Sequence, residues 1–128
     1  MMKTSIIKFA IGICASLALL TSCEYDIVVP EKKAPPPAND TISFKDDIIP
    51  IFNKDCNAAC HSVGAIPPDL SSSNAFAALT ADNYIVSGEP ENSELYTICI
   101  PGGSMATHIS TADADLIYRW IYAGGKNN

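Results

Sequence analysis

Cys56-Asn57-Ala58-Ala59-Cys60-His61 is the stretch on which the reading of this 128-residue chain turns. Two thiols followed at once by an imidazole form a donor set that holds haem covalently: the sulfurs bond the vinyl carbons and the histidine ligates iron. The usual attachment motif has two residues between its cysteines; three stand here. The extra residue shifts one sulfur relative to the other, so a local bulge is expected between Cys56 and Cys60.

The flanking sequence reads as short helices. Ser43 is placed to cap the first, with Asp46 and Asp47 in its opening turn, where negative charge suits the helix dipole. Ile48, Ile51 and Phe52 recur at i, i+3, i+4 and make one apolar face, inside which Pro50 is expected to bend or interrupt the helix. A short helix is expected over Asn74 to Leu79, carrying Phe76 and Leu79. Pro90 is suited to begin another, with Glu91 and Glu94 early and Leu95, Tyr96 and Ile98 as its apolar set. The last helix is the clearest: Ser110 and Asp113 have capping-box spacing, Leu116, Ile117, Trp120 and Ile121 build its buried face, and Gly124 stops it. Tyr84-Ile85-Val86 is the one strand candidate. The class is all-α, with four to five short helices.

The N-terminus addresses the chain. Lys3 and Lys8 precede an apolar run, Ile11 to Leu20, too short for a membrane-spanning helix and suited to a signal peptide. The run ends in Leu20-Thr21-Ser22-Cys23, which resembles the bacterial lipobox, in which the thiol is lipidated and becomes the first mature residue. Residues 1–22 are then a lipoprotein signal peptide, and Cys14 leaves with it. Residues 23–40 read as a lipid-anchored tether, since Pro35-Pro36-Pro37 favours an extended, semi-stiff spacer. The folded domain follows over 41–128, placed at the bacterial cell envelope on the periplasmic side or at the outer membrane.

Removal of Lys3 and Lys8 with the signal leaves six basic against fourteen acidic residues, a net charge of −8. That balance argues against nucleic acid as a partner. No Ser/His/Asp arrangement, paired catalytic carboxylate or phosphate loop suggests an enzyme. A helical domain of roughly 85 residues is small enough to need a staple, a metal or a large buried cofactor.

Cys56, Cys60 and Cys99 remain in the mature chain, in a compartment where idle thiols are uncommon. Three chemistries compete for them. Cys56 and Cys60 make thioethers to haem with His61 as proximal iron ligand; or Cys99 pairs with Cys56 or Cys60 in a disulfide; or Cys56, Cys60, Cys99 and His108 surround zinc. A hybrid ties Cys56 to Cys99 and leaves haem on Cys60 and His61. Haem also needs a second axial ligand. Met105, the one methionine after the signal, lies in the turn Pro101-Gly102-Gly103-Ser104-Met105, and a methionine there raises the reduction potential relative to a second histidine. His108 is the alternative distal ligand. A ligating imidazole also donates its other N–H to a carbonyl, which the Gly64-Ala65-Ile66-Pro67-Pro68 turn is placed to offer His61.

Several of these motifs, in this order, resemble the small class-I-like c-type cytochrome domains of bacterial envelope proteins. Phe44 to Phe52 is similar to the opening helix that leads into the haem site. Gly88-Glu89-Pro90-Glu91-Asn92-Ser93-Glu94-Leu95-Tyr96 is similar to the Gly-x-Pro-x-x-Ser-x-Leu-Tyr run before the distal methionine, and Ser110 through Gly125 to the closing helix. The resemblance implies a cytochrome c-like domain around a haem pocket, one covalent haem c, and first and last helices that cross over the cofactor. It also implies single-electron transfer to redox protein partners in the envelope. The alternative is a haem-free, disulfide-stapled lipoprotein domain with a binding or scaffolding role.

Overall fold

The structure, a computed structural model, describes residues 33–37, 41–57 and 60–128. The chain divides after Lys33, and all the helices described belong to the second unit, Ala34–Asn128. The signal peptide, the lipid site at Cys23 and most of the tether lie outside the described residues. The all-α expectation holds: four helices and one 3₁₀ turn account for 43% of the described residues, and no strand occurs among them. None of these helices is long and apolar enough to cross a membrane.

The first helix, α1, runs over residues 44–56 in three stretches of different pitch: Phe44–Ile48 and Phe52–Cys56 are π-helical, and Ile49–Ile51 between them is α-helical. Pro50 supplies the reason. It has no N–H to give, and its ring would press on the carbonyl four residues back. Widening the preceding turn, so that Ile48 donates to Ser43 O and Ile49 to Phe44 O, carries the chain past the proline. The expected bend or break is therefore a change of pitch, and the helix continues to Cys56. Its start is capped reciprocally. Ser43 Oγ accepts from Asp46 N at 3.1 Å, and Asp47 Oδ2 accepts from Ser43 N at 2.8 Å.

The end of the chain returns to this same turn. Asn128 Oδ1 accepts from Phe44 N at 3.0 Å, and the Asn128 carbonyl accepts from Lys45 N at 3.1 Å and from Ser43 Oγ at 3.0 Å. Helix N-termini leave backbone donors without intrahelical partners, and here a distant segment satisfies two of them.

The remaining helices are α2 (Ala75–Ala81), α3 (Glu94–Thr97) and α4 (Thr111–Tyr122). Before α2, Asp69 accepts from Ser71 N and Asn74 Nδ2; the Ser71 hydroxyl, then Asn74 and the Ser71 N–H, hold its carboxyl below the usual range. The helix expected from Pro90 is broken. Pro90–Asn92 is a single 3₁₀ turn and α3 starts only after Ser93, whose backbone is extended (φ −95°, ψ 120°).

Ser93 is completely buried and its hydroxyl is engaged elsewhere. It accepts from Val86 N at 2.8 Å and donates to Glu89 O at 2.9 Å, closing the loop between them. Gly88, at φ +81°, makes the left-handed corner that this closure needs. The same clasp explains why Tyr84-Ile85-Val86 is not a strand: its polar groups turn inward to Leu79 O, Leu95 N and Ser93.

In α4, Ser110 Oγ accepts from Asp113 N at 3.1 Å and donates to Asp113 Oδ2 at 2.7 Å, so the shorter acid closes the cap on the hydroxyl itself. Ile117, Trp120 and Ile121 are buried as expected, with Leu116 at the edge, and Tyr118 and Ala114 join them. Gly125 N donates back to Trp120 O, and Gly124 and Gly125 both take positive φ. The core is centred on Phe44. Its ring lies 5.1 Å from Trp120, 5.3 Å from Phe76 and 6.2 Å from Phe52, bringing α1, α2 and α4 to one point. Lys54 adds an exposed ion pair to Asp113 at 3.0 Å, which ties the far end of α1 to the start of α4.

Two substitutions test this account. Phe44→Ala should destabilise the domain by about 3–5 kcal/mol. Ser93→Ala should cost about 1–3 kcal/mol, because Val86 N–H and Glu89 O lose their buried partner. Urea unfolding reads both as a lower midpoint at unchanged slope. A midpoint unmoved in Ser93→Ala would mean that the loop is closed by something other than this hydroxyl.

Candidate functional site

Helix α1 delivers the site at its C-terminal end. The π-type pitch of its last stretch continues past the helix: Asn57 donates to Phe52 O at 2.7 Å, and His61 donates to Cys56 O at 3.0 Å. Both are five-residue closures. A motif with one residue fewer between the thiols would put the histidine four residues after the first cysteine, on an ordinary helical turn. Here the wider turn takes up the added residue and still brings His61 back to Cys56. The bulge expected between the cysteines falls on residues 58–59, outside the described residues.

Residues 60–70 then fold over the two motif residues. Ile66 N donates to Cys60 O at 3.0 Å and Leu70 N to His61 O at 2.7 Å. The loop presents the carbonyls of Ile66 and Pro68 to the imidazole, with Nδ1 3.1 Å from the first and 3.2 Å from the second. Carbonyl oxygens only accept, so Nδ1 carries the proton and shares it between them. In the neutral ring the lone pair is then on Nε2. The turn singled out in the sequence brings both carbonyls to the ring, which fixes its tautomer and orientation. This loop has no charged residue between Cys60 and Asp69, and it exposes Val63 (71%) and Ile66 (60%), an apolar surface suited to a flat hydrophobic group.

The three thiols are free and differ in setting. Cys60 is exposed, Cys56 is half-buried against the core, and Cys99 is buried just after α3. Burial, with the nearby Asp55 carboxylate, pushes the Cys56 thiol up to about 11. Burial also pushes Cys99 up to about 11, and a smaller part of that rise comes from Cys56 itself, which places the two thiols within electrostatic reach. Nothing in the sequence spacing chooses Cys56 over Cys60 as the neighbour of Cys99 across 43 positions; the fold brings Cys56 within reach.

Met105 and His108 share the loop between α3 and α4. Met105 is half-buried and its N–H is bonded to Ile98 O at 2.8 Å; His108 is exposed and its N–H is bonded to Met105 O at 2.9 Å. Among the described residues no three His, Cys, Asp or Glu side chains are grouped to hold a metal ion. The Cys56 and Cys60 thiols and the His61 imidazole stand together at the end of α1, and the Met105 thioether lies on a separate loop pinned to Ile98 O. Gly103, beside that loop's contact with Ile98, was legible only as half of a glycine pair.

The chain matches no family model, no curated protein and no solved structure.

The thiol settings predict an order of reactivity. In the reduced, haem-free domain at pH 8, iodoacetamide should modify Cys60 first, with Cys56 and Cys99 protected until unfolding; peptide mass mapping over time reads the order. The same two thiols set an alkaline limit. Folding holds them neutral, whereas the unfolded chain ionises them near the 9.0 of an ordinary thiol, so their contribution is complete below pH 9 and is lost as pH rises through about 11. The urea midpoint should therefore fall between pH 9 and 11, and the fall should be smaller in a Cys56→Ser/Cys99→Ser variant.

Proposed function

We propose that residues 41–128 form a monohaem c-type cytochrome domain that transfers single electrons at the bacterial envelope, on a lipid anchor at Cys23. The observation that carries this reading is the His61 ring, its Nδ1–H shared by two carbonyls of its own loop beside the two thiols. A histidine held this way is a ligand prepared in advance, with Nε2 as the free donor.

Bound haem would supply reversible one-electron chemistry at its iron. The chain's part is to hold and tune it. Cys56 and Cys60 provide the sulfurs for covalent attachment. The carbonyls of Ile66 and Pro68 keep the His61 ring in one orientation and raise the basicity of Nε2. Met105 is the distal ligand in this reading, a thioether that favours a higher potential than a second imidazole; His108 is the alternative. Cys56 packs against the core, in which Phe52 and Leu70 are buried, while Cys60 stays open at the surface. With no substrate to bind, the domain works through its redox partners in the envelope.

One observation favours a second reading. Cys99 lies within electrostatic reach of Cys56, so in a haem-free lipoprotein these two would form the disulfide that staples the domain for a binding or scaffolding role.

Production of the mature domain with a c-type haem maturation system separates the two. The cytochrome reading expects a Soret band and haem-dependent peroxidase staining at the mature mass after denaturing electrophoresis. A colourless protein, lighter by two hydrogens and with Cys60 alone open to alkylation, would sink it in favour of the disulfide. Given haem, Met105→Ala should abolish the weak near-infrared methionine-to-iron band, and His108→Ala should leave it unchanged.

A further inference from the structure

The geometry points to Gly103 as the positioning residue that gives the distal site to Met105 over His108, an inference that rests on the haem reading above. After α3 the chain turns back over its own last residues. Gly103 N donates to Ile100 O at 2.8 Å, and two residues later Met105 N donates to Ile98 O at 2.8 Å. Between these two bonds the backbone presses on itself. A side-chain carbon at Gly103 would overlap the Ile98 carbonyl and stand 2.6 Å from Thr97 O.

These neighbours cannot swing aside as a flexible side chain would. Thr97 is the last residue of α3, and Ile98 N is itself bonded to Glu94 O at 3.0 Å. The two adjacent glycines serve different needs. Gly102, at φ +94° with nothing within 4 Å of its missing side chain, is required for backbone conformation. Gly103 is required for space.

The carbonyl that Gly103 abuts is the one that holds Met105. A methyl group at position 103 must lift the loop from Ile98 O, and the backbone that places the thioether lifts with it. His108 is bonded to Met105 O and has an exposed ring, so it is carried by the same segment and lies nearest in sequence as a substitute ligand. Gly103 thus holds the loop at the height that the Met105 N–H bond to Ile98 O sets, with Met105 half-buried and His108 outside.

The test uses the mature domain carrying covalent haem. Gly103→Ala should keep the haem but lose the near-infrared methionine band completely, with a lower reduction potential; Ser104→Ala, at an exposed neighbour, should keep both. Adding His108→Ala to Gly103→Ala should then remove the replacement ligand and yield a high-spin spectrum. Should Gly103→Ala fail to fold, a glycine inserted between Gly103 and Ser104 decides the matter. It adds no side chain and moves Met105 out of register with Ile98 O, so the band should again be lost. A methionine band retained in either variant overturns the inference and leaves the haem reading intact. So does a wild-type domain that binds haem without that band. Absence of covalent haem from the wild type overturns both.

Discussion

The Phe44 ring, set 5.1 Å from Trp120, is the contact on which the rest of the domain depends. It is buried, and among the described residues its ring meets Phe52 of α1, Phe76 of α2 and Trp120 of α4 together. Aromatic pairs contribute about 0.5–1.5 kcal/mol each beyond the area they bury, but here placement matters more than the sum. Helix α1 has Pro50 at its middle and changes pitch twice, so it has little intrinsic persistence. Locking its first residue to Trp120, and bonding its first N–H groups to Asn128, fixes where its last residue must emerge. Cys56 is that last residue.

The pitch of α1 then governs the site. Five-residue closures cost hydrogen-bond quality and leave a wider bore than an α-helix, and such turns are uncommon away from functional positions. In this chain they begin upstream of Pro50, resume at Phe52 and end with His61 on Cys56 O. A motif with an added residue and a helix that is locally underwound are compatible with each other, since each needs one more residue per turn. The His61 loop completes the arrangement by folding back on Cys60 and His61 through backbone bonds and through the two carbonyls on Nδ1, leaving the imidazole Nε2 without a task inside the loop.

Much of this was legible in the residues. Periodicity exposed α1 and α4, because Ile48, Phe52, Ile117 and Trp120 recur where a helix would bury them, and Ser43 and Ser110 cap as their type predicts. The loop carbonyl for His61 was legible too, since Pro67 and Pro68 force a turn a few residues after the ring. Three features were hidden because they depend on contacts between distant segments. Ser93 reads as an ordinary helix residue until its hydroxyl is seen closing the loop to Val86. Asn128 reads as a polar end until its amide meets Phe44. Which of Cys56 and Cys60 is the neighbour of Cys99 was the third, because a spacing of 43 residues is set by how helices pack and not by local geometry.

The bonds from Asn128 to Ser43 and Phe44 also divide the labour of the domain along α1. Chain entry at Thr41 and the final residue meet at one pole, while the thiols and His61 lie at the other, some thirteen helical residues and therefore roughly 15–20 Å away. The bonds that fix where the helical domain begins are thus different bonds from those that orient the His61 ring, and the two sets lie at opposite ends of one helix.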